Sequence, residues 1–153
     1  MKFHQIFWSF RPCINEFQYC KFVVQVDGTW LYGKYKGTLL VTVAQDGNNK
    51  ILPIAFAIIE GEIVEAWLFF LKNLKRHATP QHGLCLISDR NETIKSAYLK
   101  RDSGWTTQNF VHVFCIQYIA PNYMKRYKNN DIKNNNYQYE WVPNFFLFIL
   151  NIT

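Results

Sequence analysis

A chain of 153 residues, 49% apolar and 18% charged, is long enough to bury one domain-sized core and is not a polar, disordered chain. Its longest apolar run, Phe145 to Leu150, is far short of the ~20 residues a membrane helix needs, and its four cysteines form no C-x-x-C pair, which argues against a disulfide framework and for reduced thiols inside the cell. The formal charge of +6 and the pI of about 9.2 favour polyanion partners, although many basic proteins of this size bind no nucleic acid.

In chain order, residues 1–20 read as an irregular lead-in. Two stretches, Phe3 to Phe10 and Ile14 to Phe17, could dock on a core, and there is no apolar leader with a cleavage site. Phe22 to Val26 (FVVQV) is a β-branched run closed by the turn signal Asp27-Gly28. Gly37 to Ala44 is a second strand, and Asp46-Gly47-Asn48-Asn49 has hairpin-turn chemistry. Ile51 to Ile59 is a third strand, and Pro53 points to an edge position because it lacks an N–H.

Glu60-Gly61-Glu62 then opens a helix to about His77, with Trp67, Phe70, Leu71 and Leu74 on its apolar face. Leu84 to Ile87 is a short buried strand closed by Ser88-Asp89-Arg90, and Asn91 caps a second helix through Leu99. Phe110 to Phe114 is a fifth strand, and Ile116 to Lys128 reads as helical. Beyond it, residues 129–153 form a tail: the low-complexity run NNDIKNNN, then an apolar stretch without a period. The order β-β-β-α-β-α-β over residues 21–128 implies an α/β fold whose mixed sheet has three antiparallel strands, then two parallel ones, and helices on both faces.

Two acids stand out by position. Asp27 follows FVVQV and Asp89 follows LCLIS, so each is expected at the carboxyl end of a strand, where open α/β sheets leave a crevice. If those strands are parallel neighbours, the two carboxylates share the crevice and suit a Mg²⁺ or Mn²⁺ ion, the chemistry of in-line phosphoryl displacement. Asp before Gly is also an ordinary turn former, and Ser-Asp-Arg-Asn also suits a helix start. The residues alone leave both readings open.

A resemblance bears on the choice. VDGTWLYGKYKGTLLVTVAQDGNNKILPIAFAIIEGEIVEAWLFFLKNL, then LISDRNETIKSA, then HVFCIQYIAPNYMKRYK, together resemble the transposase domain of plant Mutator-like elements across about residues 20–128. The resemblance implies an RNase H-like fold, a DDE triad holding two divalent metals (Mg²⁺ or Mn²⁺), DNA as partner and the nucleus as location. It implies that Asp27 is the first catalytic, metal-binding acid and Asp89 the second.

Two departures stand against activity. The family's third acid, a Glu on a helix well past its C-x-x-H element, has no match here, because Glu140 lies in YQYEWVPN, unlike that region; the domain is therefore expected to be truncated. The C-x-x-H element itself reads CIQY, with Cys115 present and Tyr118 in place of His; Cys115 is expected to pack as a small apolar residue.

Lys34 and Lys36, interleaved with Tyr32 and Tyr35, and Arg90 beside Asp89 are candidate DNA contacts; a solvated hairpin accounts for the lysines equally well. Asp46 is expected to form a turn and Trp67 to anchor the core. Glu62 and Glu65 are expected to be first-turn helix acids, and the family-like EGE…W context gives Glu62 an alternative role in supporting the site. The expected function is thus a fragment of a DDE transposase core, inactive as it stands. The alternative is a domesticated, non-catalytic DNA-binding or interaction module, and a degenerate reading frame is a third reading.

Overall fold

The computed structural model describes residues 5–33, 36–106 and 108–115. The elements run β1 (Gln5–Ser9), α1 (Arg11–Phe17), β2 (Val23–Leu31), β3 (Gly37–Gln45), β4 (Ile51–Ile59), α2 (Val64–Asn73), β5 (Leu84–Ser88), α3 (Glu92–Tyr98) and β6 (Phe110–Phe114). The six strands form one mixed sheet in the order β1-β4-β3-β2-β5-β6. β2, β3 and β4 make an antiparallel meander, β1 adds antiparallel to β4, and β5 and β6 run parallel to β2 and to each other.

The meander follows from local chemistry. Asp46 accepts hydrogen bonds from the N–H groups of Asn48 (2.8 Å) and Lys50 (2.7 Å), and Asn49 takes the positive φ of 63° that closes the β3–β4 turn. The helices follow from apolar spacing. Trp67, Phe70, Leu71 and Leu74 are all buried, and α2 runs on into a wider π-helical turn at Leu74–Ala78. Asn91 caps α3 as its sequence promised, accepting from the Thr93 N–H at 2.9 Å.

Five expectations need correction. The lead-in is not irregular, because β1 and α1 lie within it. β1 gains its hydrogen bonds from β4, and α1 carries Pro12 in its first turn, where a fixed φ and a missing N–H are tolerated; neither cause leaves a period in so short a stretch. Pro53 is on an interior strand, yet β1 pairs only with residues 55–59, so the proline's end overhangs its neighbour beside a bulge at Thr42/Val43. Asp27-Gly28 is not a turn, since β2 continues to Leu31 with β3 paired alongside.

The helix after β4 starts at Val64, which leaves Glu62 in the preceding loop and only Glu65 as a first-turn acid. Finally, α1, α2 and α3 all bury side chains in one core cluster with Val24, Val26, Leu40, Leu84 and Leu86. The opposite face carries Val41 and Val43 with Leu39, Ile51 and Phe56, and no described helix joins them. The helix expected over Ile116 to Lys128 and the tail at 129–153 lie outside the described residues. Among those described, no helix is long and apolar enough to cross a membrane.

Candidate active site

The site begins with a mismatch in strand length. β2 and β5 pair in parallel at Val23↔Cys85, Val24↔Leu86 and Gln25↔Ile87, and β5 ends one residue later at Ser88. β2 continues for six residues past Gln25, held by β3 on its other side (Asp27↔Val41, Gly28↔Leu40). A gap therefore opens beside β2 where β5 stops. Two positions beyond the last pair, on the same register, stand Asp27 and Asp89. Parallel neighbours are spaced about 4.8 Å apart, so this register sets the two carboxylates at the mouth of one crevice.

That crevice is a cleft of about 80 Å³ bounded by Val26, Asp27, Gly28, Glu62, Trp67, Asp89 and Ile94. Two wider surface hollows, of about 610 and 490 Å³, lie elsewhere. The first runs along β1 and carries no acid, and the second carries Lys72, ion-paired to Asp102 at its surface. Size is a poorer guide than chemistry here, because of these three hollows among the described residues only the small cleft gathers three acids.

Backbone donors orient the two aspartates. The Gly28 N–H donates to Asp27 Oδ1 at 2.8 Å, and the Asn91 N–H donates to Asp89 Oδ1 at 3.2 Å. Burial pushes the Asp89 carboxyl above its ordinary range, only partly offset by the Asn91 N–H. Glu62 is raised too, first by burial and then by the negative charge of Asp89; the hydrogen bond from Asn91 opposes this, and Asp27 adds to it. The cleft thus concentrates negative charge in a partly desolvated place, where it stays ionised only at a cost.

Behind Asp89, Ser88 is buried and its hydroxyl donates to the Asp89 carbonyl at 2.8 Å. The same oxygen lies 2.9 Å from His112 Nε2, which makes a Ser88–His112 hydrogen bond. Burial, then the charge of Lys95, holds His112 below the usual histidine value. Cys115 is buried just past β6, its N–H donating to the Ser88 carbonyl at 2.7 Å. His112 and Cys115 thus brace the strand tip that presents Asp89.

Of the candidate DNA contacts, Arg90 is exposed next to Asp89 and Lys36 is exposed just before β3, whereas Lys34 lies outside the described residues. Glu62 is the residue the spacing placed wrongly: as a helix acid it would face solvent, but the loop turns it into the cleft. Its local signal is the Glu-Gly-Glu before the amphipathic run, where glycine ends β4 before the helix can start.

A divalent cation suits the donor set. Hard carboxylate oxygens are its ligands of choice, and Gly28 leaves space where a Cβ would come within 3.1 Å of Glu62 Oε1. The Trp67 indole borders the cleft, with its Nε1 buried and without a partner among the described residues. Among the described residues no three His, Cys, Asp or Glu side chains gather into a closed ion cage.

A family model for the MULE transposase domain matches residues 23–122, a stretch that contains β2 through β6 and the whole cleft. No curated protein sequence matches the chain.

Proposed function

The chain belongs to the MULE transposase domain family, and from that premise we propose that its cleft is the two-aspartate part of a DDE-type, RNase H-like DNA cleavage and strand-transfer centre that works on DNA in the nucleus. The observation that carries this reading is the placement of Asp27 and Asp89 across the gap where β5 ends and β2 continues.

Asp27 and Asp89 would hold Mg²⁺ or Mn²⁺, which when bound supplies the positive charge that activates a nucleophile and stabilises a leaving oxygen. The protein's share is orientation. The Gly28 and Asn91 N–H groups each fix one carboxylate oxygen, and Trp67 and Ile94 wall the inner side with apolar surface. Exposed Arg90, next to Asp89, and Lys36, just before β3, would supply phosphate contacts to a duplex.

Beyond Cys115 the sequence carries two acids, Asp131 and Glu140, and the flanks of Glu140 do not resemble the family's third-acid region; Glu62 is engaged with Asn91. The reading therefore has these 153 residues binding cation and DNA without sustaining cleavage. A supercoiled-plasmid nicking assay with Mg²⁺ and Mn²⁺ tests it, alongside DNA binding across a salt series. Salt-dependent binding without turnover is the expected result. Robust nicking abolished by Asp27→Asn would overturn the inactivity and keep the site. DNA binding alone, indifferent to cation and to both aspartates, would instead favour a domesticated binding module.

A further inference from the structure

We propose that Glu62 is a positioning residue: acting through Asn91, it fixes the loop that presents Asp89 to the cation. The inference rests on the reading of the cleft as a cation site and assigns a role to a third acid within it.

Asn91 is the centre of the arrangement. Its side-chain Oδ1 accepts from the Thr93 N–H at 2.9 Å and from the Thr93 hydroxyl at 2.6 Å, which leaves Nδ2 as the end facing Glu62. Nδ2 donates to Glu62 Oε2 at 3.1 Å, and the backbone N–H of the same residue donates to Asp89 Oδ1 at 3.2 Å. Asn91 is thus clamped on one side by the start of α3 and on the other by Glu62. Its N–H is aimed at Asp89 as a consequence.

The other Glu62 oxygen reaches the opposite wall of the cleft, where Oε1 lies 3.1 Å from the place a Gly28 Cβ would occupy. One side chain therefore spans from the strand of Asp27 to the loop of Asp89, across 29 positions of sequence to Asn91. The position is electrostatically unfavourable, for burial and the charge of Asp89 both resist the ionised form. A surface acid that merely begins a helix would have no reason to stay there. Partners that orient a metal ligand in this way typically change metal affinity by about 10–100-fold when removed.

The test is a Mn²⁺ titration of the full 153-residue chain, followed by electron paramagnetic resonance of the free ion, with unfolding curves recorded for each variant. Glu62→Ala is expected to weaken Mn²⁺ binding by about tenfold or more. Glu62→Gln still offers Asn91 an acceptor oxygen, so it is expected to retain affinity close to that of the unchanged protein. Asn91→Ser keeps a helix-capping oxygen but cannot reach Glu62, and should match Glu62→Ala. The double variant should bind no more weakly than either single one, because both interrupt one path.

Unchanged affinity in Glu62→Ala would overturn the inference and leave the two-aspartate site standing. Glu62→Gln as weak as Glu62→Ala would also overturn it, by showing that the charge itself acts on the ion. No Mn²⁺ binding by the unchanged protein, or binding untouched by Asp27→Asn, would remove the site and the inference together.

Discussion

Replacing Gly28 with alanine probes the cleft without touching any acid. A Cβ built there lies 3.1 Å from Glu62 Oε1, 3.1 Å from Leu40 Cδ2 and 3.3 Å from Thr38 Cγ2, all tighter than ordinary contact. Leu40 and Thr38 are fully buried on β3 and cannot recede, whereas the half-exposed Glu62 can swing away at the expense of its bond to Asn91. Overpacking of this kind costs about 1–3 kcal/mol. Against it, alanine is about 0.5–1 kcal/mol better than glycine inside a strand.

The balance is a loss of about 1 kcal/mol, or a Tm lower by about 4 °C. Urea unfolding of Gly28→Ala, Glu62→Ala and the double variant completes the measurement. With Glu62 truncated, one of the three close contacts is gone, so the Gly28→Ala loss should shrink by about 0.5 kcal/mol or more. Equal losses in both backgrounds, or a stabilising Gly28→Ala, would refute the packing of Glu62 over Gly28.

Trp105→Phe should destabilise by about 1–2 kcal/mol more than Trp67→Phe in chemical denaturation, although Trp67 is only 1% exposed. Trp105 Nε1 donates to the Leu71 carbonyl at 2.9 Å, while Trp67 Nε1 has no partner to lose among the described residues. His112 is held below the ordinary histidine value of ~6.5, so the unfolded chain binds more protons there. The stability it contributes is full above that value and is lost as pH falls through the folded pKa; His112→Gln should flatten this slope below about pH 6.5. Lys36→Ala and Arg90→Ala should each lower the slope of log affinity for DNA against log salt by about 1, and unchanged slopes would remove both residues from the DNA face.

Much of the fold was legible because its elements carry their own signals. The β3–β4 hairpin announces itself through Asp46 to Asn49, α2 through four apolar residues on one face, and α3 through the capping Asn91. What stayed hidden was set by partners distant in sequence. Residues 5–9 become a strand only because β4 offers them an edge, and Pro53 sits on an interior strand only because β1 stops short of it.

The same limit applies to the cleft. Asp27 reads as the end of a strand, when in fact only one neighbour ends there: β5 stops and β3 does not. The prediction of a shared crevice needed no more than parallel neighbours in register, and the register supplies it. Glu62 was out of reach of periodicity, because its place depends on where β4 ends and on a partner in the loop after β5.

The central claim is that Asp27 and Asp89 hold one divalent cation between them, and thermal unfolding with and without Mn²⁺ tests it most directly. A ligand at 10–100 times its Kd stabilises a fold by about 1.4–2.7 kcal/mol, so the unchanged protein should gain several degrees in Tm. Asp27→Asn and Asp89→Asn should each abolish that gain. A Mn²⁺-dependent rise of the same size in either variant would contradict the account.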